Sequence, residues 1–345
     1  MIVCKFWGVF VVLDADRVRV GIVGLGKMGI MHACLLSTFA NVEVGALCDK
    51  SRLMRKIAKR AFSGAQVTDT LEGFSGLDLD AVYVLTPIPS HYSIIKQIYG
   101  AGLVKNVFVE KTLTSNYSHS AELCSLSEHQ GGITMVGYMK RFGVTFNQAK
   151  QLLEKQVLGE LVSFEAYAFS SDFADVPVGS VLSKARGGVI EDLGSHVVDL
   201  AEWFFGDLQV AETKVNSQIS LGSEDDIGFS VTNKEGLRGH FEVSWRKNNY
   251  RMPEFGLSIQ GTKGVLDVND DEVKLSLNGS VPKRWYRHDM ADNVGFLLGG
   301  PEYYRENQQF IQAIIGGEAP ESSFRSTLKV DYILEQVRQR ANEKV

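Results

Sequence analysis

Asp192 and His196 stand four residues apart in Gly187-Gly-Val-Ile-Glu-Asp192-Leu-Gly-Ser-His196-Val-Val-Asp199. On a helix that spacing sets an acid and an imidazole on one face. Imidazole is the side chain that titrates nearest neutrality. His196 therefore suits taking a proton from a secondary alcohol while hydride leaves the same carbon, with Asp192 expected to fix its tautomer or relay the proton. Lys111 follows the apolar run Asn106–Glu110 (NVFVE). At the carboxyl end of a parallel strand, where open α/β sheets bind ligands, its ammonium can polarise a carbonyl oxygen or stabilise a developing alkoxide. Asp199 shares nearly the same helical face and is expected to be structural or to support the pair. His32 and His129 have no comparable setting and receive no role.

A second pattern concerns phosphate. Gly24-x-Gly26-x-x-Gly29 follows the apolar run Val18–Val23 and opens a helical stretch that begins with Lys27 and Met28. Gly24 permits a tight turn, Gly26 lets the backbone approach a pyrophosphate, and Gly29 lets the helix pack on the strand. The helix N-terminus offers N–H groups and partial positive charge. Asp49 ends the next strand 20 residues beyond Gly29, where a carboxylate accepts hydrogen bonds from an adenosine ribose. It repels a 2′-phosphate, which favours NAD. Lys50 and Arg52 partly offset that repulsion and keep NADP open. Hydride transfer to nicotinamide needs no metal, and neither HExxH nor cysteine-ligand spacing occurs, so no metal is expected.

These residues need elements to hold them. At 345 residues the chain has room for two domains, since length/150 is about 2.3. Up to residue 137, short apolar strands (Val18–Val23, Val42–Cys48, Ala81–Leu85, Asn106–Glu110, Ile133–Gly137) alternate with helical stretches (Met28–Thr38, Ser51–Phe62, His91–Ala101, Tyr117–Gln130). That alternation predicts a parallel sheet covered on both faces. Beyond residue 150 the period is two: Leu161–Phe169, Val210–Ser220, Ile227–Thr232, Arg238–Trp245, Glu254–Gln260 and Gly264–Val268. Asn233–Gly236 and Gly261–Gly264 supply hairpin turns. Helices are expected at Phe146–Gln156, Val189–Phe205, Pro301–Ile315 and Ser326–Glu343. The predicted fold class is therefore an α/β Rossmann dinucleotide-binding domain, residues 18–138, followed by an α+β domain on a large, mainly antiparallel open sheet, residues 139–345. Residues 1–17 form an N-terminal extension.

Thirty-six basic against 41 acidic residues leave a net charge of −5, and no basic block suggests nucleic-acid binding. Cys4, Cys34, Cys48 and Cys124 are scattered, which fits a reducing compartment. Met1–Leu13 is apolar but too short to span a bilayer, which takes ~20 residues, and it lacks a signal-peptide pattern. A cytoplasmic protein without membrane partners is expected. Glycine, 34 residues against a usual ~7%, is the one compositional excess, and five of its positions fall in the two motifs above.

With these motifs in place, residues 18–343 resemble the family of glucose–fructose oxidoreductase, inositol dehydrogenase and the rhizopine-catabolism protein. Thr86-Pro87-Ile-Pro-Ser-His91 is similar to the family's TPxxxH, which lies under the cofactor. Glu110-Lys111-Thr112 matches EKP in two of three positions, and Gly137-Tyr138-Met-Lys-Arg141-Phe142 resembles the segment leading out of the nucleotide domain. Gly187–Asp199 is similar to GGxxxDxGxHxxD. The resemblance implies Lys111, Asp192 and His196 as the catalytic group in a cleft between domains. It also implies Thr86, Pro87, His91, Glu110 and Lys111 at the cofactor, and Tyr138 and Arg141 beside the catalytic group at the substrate. The implied activity is hydride transfer between NAD (NADP as the alternative) and a secondary hydroxyl or keto group of a sugar, cyclitol or sugar derivative. A non-catalytic cofactor-sensing regulator, or an NADP-linked reductase of a keto sugar, dihydrodiol or imine-like substrate, are the competing functions. A homodimer or homotetramer through an apolar face of the second sheet is implied as well. Thr112 departs from the family proline. A cis bond before a non-proline residue costs about 3 kcal/mol, so a trans Lys111–Thr112 peptide is expected. Ser170–Arg186, with Asp172, Asp175, Lys184 and Arg186, is expected to border the substrate.

Overall fold

The structure, a computed structural model, describes residues 17–174, 188–220, 223–290, 294 and 300–343. The Met1–Leu13 run and the positions Asp175, Lys184, Arg186 and Gly187 lie outside them. The chain divides into two compact units, each taken by itself below.

The first unit comprises the described residues up to Glu110, with Glu122–Gly137 and Tyr303–Phe324. Six strands, β1 (Val18–Val23), β2 (Val42–Cys48), β3 (Gln66–Thr68), β4 (Ala81–Val84), β5 (Asn106–Glu110) and β6 (Thr134–Gly137), pair in the order β3-β2-β1-β4-β5-β6. All are parallel. Strands β4 and β5 are buried throughout, as the unbroken apolar runs require when helices cover both faces. Helices α1 (Lys27–Leu36), α2 (Arg52–Ala61) and α3 (His91–Gly100) follow β1, β2 and β4. The helix begun at Tyr117 (α4, Tyr117–Gln130) precedes β6. Tyr83 of β4 stacks on Phe108 of β5 at 4.7 Å, and Phe310 meets both edge-on at 5.4 and 5.7 Å. The Tyr303–Phe324 stretch thus helps to close the core of the nucleotide-type sheet.

The second unit comprises Lys111–Ala121 with the described residues of 138–302 and from Arg325 on. Its sheet has eight strands: β7 (Leu161–Phe169), β8 (Gln209–Ser220), β9 (Ser223–Thr232), β10 (Arg238–Ser244), β11 (Glu254–Gly261), β12 (Gly264–Asn269), β13 (Glu272–Leu277) and β14 (Lys283–Tyr286). They run in the order β14-β13-β12-β11-β7-β10-β9-β8. Every pairing is antiparallel except β10 with β7. Asn233–Gly236 closes the β9–β10 turn, and Gly261 pairs with Gly264 in the β11–β12 hairpin. Helix α5 (Val144–Glu154) packs on β12 and β13, and α6 (Ser195–Phe205) on β7 and β11. The other face is mixed in character. Glu165, Arg238, His240 and Glu242 are exposed on it beside half-buried Tyr167 and Phe169. It is not the apolar face expected from the strand pattern, because the charged Glu165, Arg238 and Glu242 share it with the aromatic residues.

The chain closes with α7 (Pro301–Gly316) and α8 (Phe324–Glu343). Among the described residues no helix is long and apolar enough to cross a membrane.

Candidate active site

In the first unit, Gly24 turns with φ +94°, and its N–H donates to Cys48 O at 2.8 Å. A Cβ there would lie 2.6 Å from Leu85 O, and one on Gly29 would lie 1.9 Å from Gly24 O. Only hydrogen fits at either α-carbon. Gly26 differs, since a Cβ would meet nothing within 4 Å, so its bare backbone faces open space. No side chain caps α1 and no acid stands in its first turn. Its N–H groups and partial positive charge are left for an anionic ligand. A cavity of ≈ 1040 Å³ opens over this turn, lined by Gly24, Gly26, Lys27, Met28, Asp49, Lys50, Asp69, Thr86 and Pro87, among others. Asp49 Oδ2 accepts the Leu25 N–H at 2.6 Å, and Oδ1 accepts that of Ser51, also at 2.6 Å. Arg55 Nη1 donates to the carbonyls of Asp49 (2.7 Å) and Lys50 (2.8 Å). This cradle fits a dinucleotide: a bare turn, an uncapped helix end, and a carboxylate held at the ribose end.

Two residues expected at the cofactor are not among the described residues that line this cavity. His91 is buried, and its Nε2 lies 2.8 Å from the carbonyl of Thr86, bracing the Thr86–Pro87 wall. Glu110 is buried with Oε1 3.2 Å from His32 Nε2. His32, assigned nothing from sequence, also donates from Nδ1 to Asn307 Oδ1 at 3.0 Å. The amide orientation follows from Asn307 Nδ2 donating to Tyr303 O at 2.7 Å. A partner from residue 307 leaves no local sequence signal.

In the second unit, Lys111 Nζ donates to Asp192 O at 2.7 Å and lies 3.4 Å from Asp192 Oδ1. Ile190–Gly194 winds as a π turn and α6 starts after it. A π turn is wider than an α turn and often marks a functional site. Here it carries the Asp192 carboxylate toward Lys111. Among the described residues the Asp192 carboxylate meets Lys111. His196 is buried, 6% exposed, and its Nδ1 is sealed without a hydrogen-bond partner among the described residues. Burial first, then the Lys111 and Lys140 ammoniums, hold its pKa well below the usual histidine range. The imidazole is neutral at pH 7. The Lys111–Thr112 peptide is cis, against the expected trans bond. Tertiary packing overrides the intrinsic preference there: Thr112 is fully buried, and its Oγ1 donates to Thr114 O at 3.2 Å.

Tyr138 is buried edge-on to His196, 6.4 Å between ring centroids, with no partner for its hydroxyl among the described residues. Burial, then Asp331 and Asp199, push that phenol well above its usual range. Arg141 is engaged elsewhere. Its Nε and Nη2 donate to Asp199 Oδ2 and Oδ1 at 2.9 and 2.6 Å, and both residues are buried. The pair fastens the Met139–Phe142 turn to α6. Four contributors escaped sequence reasoning: Lys140, Asp270, Phe255 and Glu224. Lys140 pairs with Asp270 and lies 4.4 Å over the Phe255 ring, which is 5.1 Å from His196. Glu224 of β9 accepts the Ile190 N–H at 3.1 Å and so caps the π turn. A Cβ on Gly188 (φ +144°) would fall 2.5 Å from its Oε1. The buried run Glu224-Asp225 in a strand was the available signal.

Residues 18–138 match the oxidoreductase family with an NAD-binding Rossmann fold, and residues 146–267 match the C-terminal domain of the same family, named for glucose–fructose oxidoreductase, inositol dehydrogenase and the rhizopine-catabolism protein. The chain belongs to that family. Its first unit is an NAD-binding Rossmann fold, and the protein is an oxidoreductase. Inositol 2-dehydrogenase of Rhizobium meliloti (strain 1021) is 26% identical over 312 residues, 87% of this chain and 89% of that protein. The dTDP-3,4-didehydro-2,6-dideoxy-alpha-D-glucose 3-reductase of Actinomadura kijaniata is 25% identical over 342 residues, 96% of this chain and 97% of that one. Levoglucosan dehydrogenase, solved with NADH and levoglucosan, superposes with a TM-score of 0.83 at 20% identity, covering 95% of this chain and 98% of that one. That last likeness is one of fold.

Proposed function

We propose that this family member is an NAD-linked dehydrogenase that moves hydride between the nicotinamide and a secondary hydroxyl or keto group of a sugar, cyclitol or sugar derivative. The observation that carries this is a neutral imidazole, His196, in the field of an ammonium, Lys111, that Asp192 holds from both its carbonyl and its carboxylate. With Nδ1 sealed, Nε2 is the nitrogen left to meet a substrate hydroxyl and take its proton. Lys111 stabilises the alkoxide that forms, and Asp192 aims Lys111. The relatives named for inositol and sugar substrates support the same chemistry.

Bound in the Gly24–Gly29 cradle, the cofactor supplies the hydride acceptor. Gly26 and the uncapped α1 terminus hold its pyrophosphate, Asp49 its adenosine ribose, and Lys27, Met28, Thr86 and Pro87 line it. His91 braces this wall through the Thr86 carbonyl. Three carboxylates, Asp49, Asp69 and Glu72, line that cavity and favour NAD over NADP. We place the protein in the cytoplasm, where the free thiols of Cys34, Cys48 and Cys124 stay reduced. The Tyr167–Phe169 strip of the second sheet's open face would serve a homodimer or homotetramer, testable by light scattering.

The test is a panel of cyclitols, free sugars and nucleotide sugars with NAD, following NADH absorbance. His196→Ala and Lys111→Ala are expected to lose turnover while NADH binding, titrated by fluorescence, is kept. Full activity in both variants would sink the proposal.

A further inference from the structure

Helix α8 lays a polar stripe along the stretch that begins at Lys111. Asp331, Glu335 and Arg338 stand at spacings of four and three, so they share one face of that helix. Asp331 Oδ2 accepts the Ser120 hydroxyl at 2.6 Å, and Glu335 Oε1 accepts the Tyr117 N–H at 3.4 Å. Arg338 Nη2 donates to Ser115 O at 2.9 Å. Between Lys111 and these pins the chain is stiffened from within, by Thr112 Oγ1 on Thr114 O at 3.2 Å and Thr114 Oγ1 on Asn116 O at 2.6 Å.

Arg338 also reaches a second segment. Its Nη1 lies 3.6 Å from Glu191 Oε1, in the π turn that carries Asp192. Glu191 is buried, and that oxygen has no hydrogen-bond partner among the described residues. Burial raises the pKa of the carboxyl, and Arg338, then Lys111, pull it back down. Burial raises Glu224 and Asp331 likewise, and Arg338 opposes the rise in both. Glu191, Glu224 and Asp331 thus all draw on one guanidinium.

We infer that Arg338 is a positioning residue of the reaction: its guanidinium ties the Lys111 stretch, through Ser115 O, to the Asp192 turn, through Glu191, and so sets the Lys111–Asp192 contact from α8. The inference rests on the dehydrogenase function proposed above and deepens it, since Asp192 aims Lys111 and Arg338 registers Asp192. A guanidinium is a rigid planar fork. With Nη2 on one segment and Nη1 facing the other, neither segment can slide without giving up its contact. The 2.7 Å bond from Lys111 Nζ to Asp192 O joins the same two segments a few residues away. Lysine at position 338 would keep the charge but lose the fork, because an ammonium on a flexible stem is a point charge.

The test measures kcat and KM on the best polyol of the NAD panel for wild type, Arg338→Lys, Arg338→Met and Glu191→Gln. Each variant is expected to lose at least about tenfold in kcat, since misplacement by about 1 Å can cost about 100-fold. The KM for polyol and the affinity for NADH should stay close to wild type. In an Asp192→Asn background the Arg338→Lys change should cost less than about threefold, because residues acting through one contact are not additive. An arginine that served only the fold would cost the same factor in both backgrounds. Wild-type kcat in the Arg338 variants, a loss confined to KM or NADH affinity, or equal losses in the two backgrounds would each overturn the positioning role alone. Should neither Arg338 variant fold, Glu191→Gln decides by the same comparison. If no polyol yields NADH in the wild type while cofactor binds, the dehydrogenase function fails and the inference falls with it.

Discussion

Removing the carboxylate of Asp199 leaves the guanidinium of Arg141 charged and sealed in the interior. The pair is bidentate, at 2.9 and 2.6 Å, with side chains 0% and 5% exposed. Water cannot replace the lost partner. Breaking such a pair on one side costs about 3–5 kcal/mol, whereas exchanging both members for well-packed apolar residues is often close to neutral. At roughly 2–4 °C per kcal/mol for a unit of this size, Asp199→Ala should lower the melting temperature by roughly 6–20 °C. Arg141→Met/Asp199→Leu should recover most of that loss. Urea unfolding followed by fluorescence, with both single variants and the double, gives the coupling directly. A loss under about 1 kcal/mol in Asp199→Ala, or a KM effect of Arg141→Met without any stability loss, would refute the fastening role and return Arg141 to the substrate.

Gly26→Ala should fold with an unchanged melting temperature but lose NADH affinity at least about tenfold, since its Cβ enters open space where a pyrophosphate would approach. Gly29→Ala should instead destabilise the first unit, because its Cβ would lie 1.9 Å from Gly24 O; equal behaviour of the two in thermal melts and fluorescence titration would contradict the cradle. The acid limb of kcat/KM for polyol oxidation should fall below pH 6.5, because burial and the two lysines keep His196 unprotonated through the ordinary histidine range; a limb at or above 6.5 argues against His196 as base. Burial moves the Glu224 carboxyl from its usual 4.5 up to about 7. The fold therefore binds that proton more tightly than the unfolded chain, and this group favours folding as pH falls from 7 toward 4.5 and opposes it above 7. Glu224→Gln, which keeps an acceptor for Ile190, should gain stability relative to wild type as pH rises from 5 to 8 in urea titrations; a constant difference would contradict the assignment.

The nucleotide-binding unit was legible because its signals are local. Gly24, Gly26 and Gly29 fall within six residues, Asp49 closes the next strand, and β-branched runs announce buried parallel strands. Of its strands only β3 is too short to show a pattern, three residues from Gln66 to Thr68. The second sheet was legible through period two as far as β12. Strands β13 and β14 were missed, although Glu272–Leu277 alternates, because a four-residue edge strand of Lys, Arg, Trp and Tyr reads as loop. Helix α7 showed an amphipathic pattern, but such a pattern does not say which sheet it covers. Phe310 against Tyr83 and Phe108 supplies that answer from more than 200 residues away.

The candidate site divides along the same line. Lys111, Asp192 and His196 were visible as residue types at recognisable positions, yet their pairing was not. Spacing of four assumes α geometry, and the π turn at Ile190–Gly194 breaks that assumption at Asp192. The turn is held from outside its own segment, by Glu224 of β9 on the Ile190 N–H and by Arg338 of α8, 3.6 Å from Glu191. Lys140 and Arg141 make the point sharpest. They are adjacent cations in one motif, yet one is taken by Asp199 in the interior and the other by Asp270 beside the imidazole. A sequence offers both as equals. Only their carboxylate partners, 58 and 130 residues away, decide which of the two is sealed in the interior.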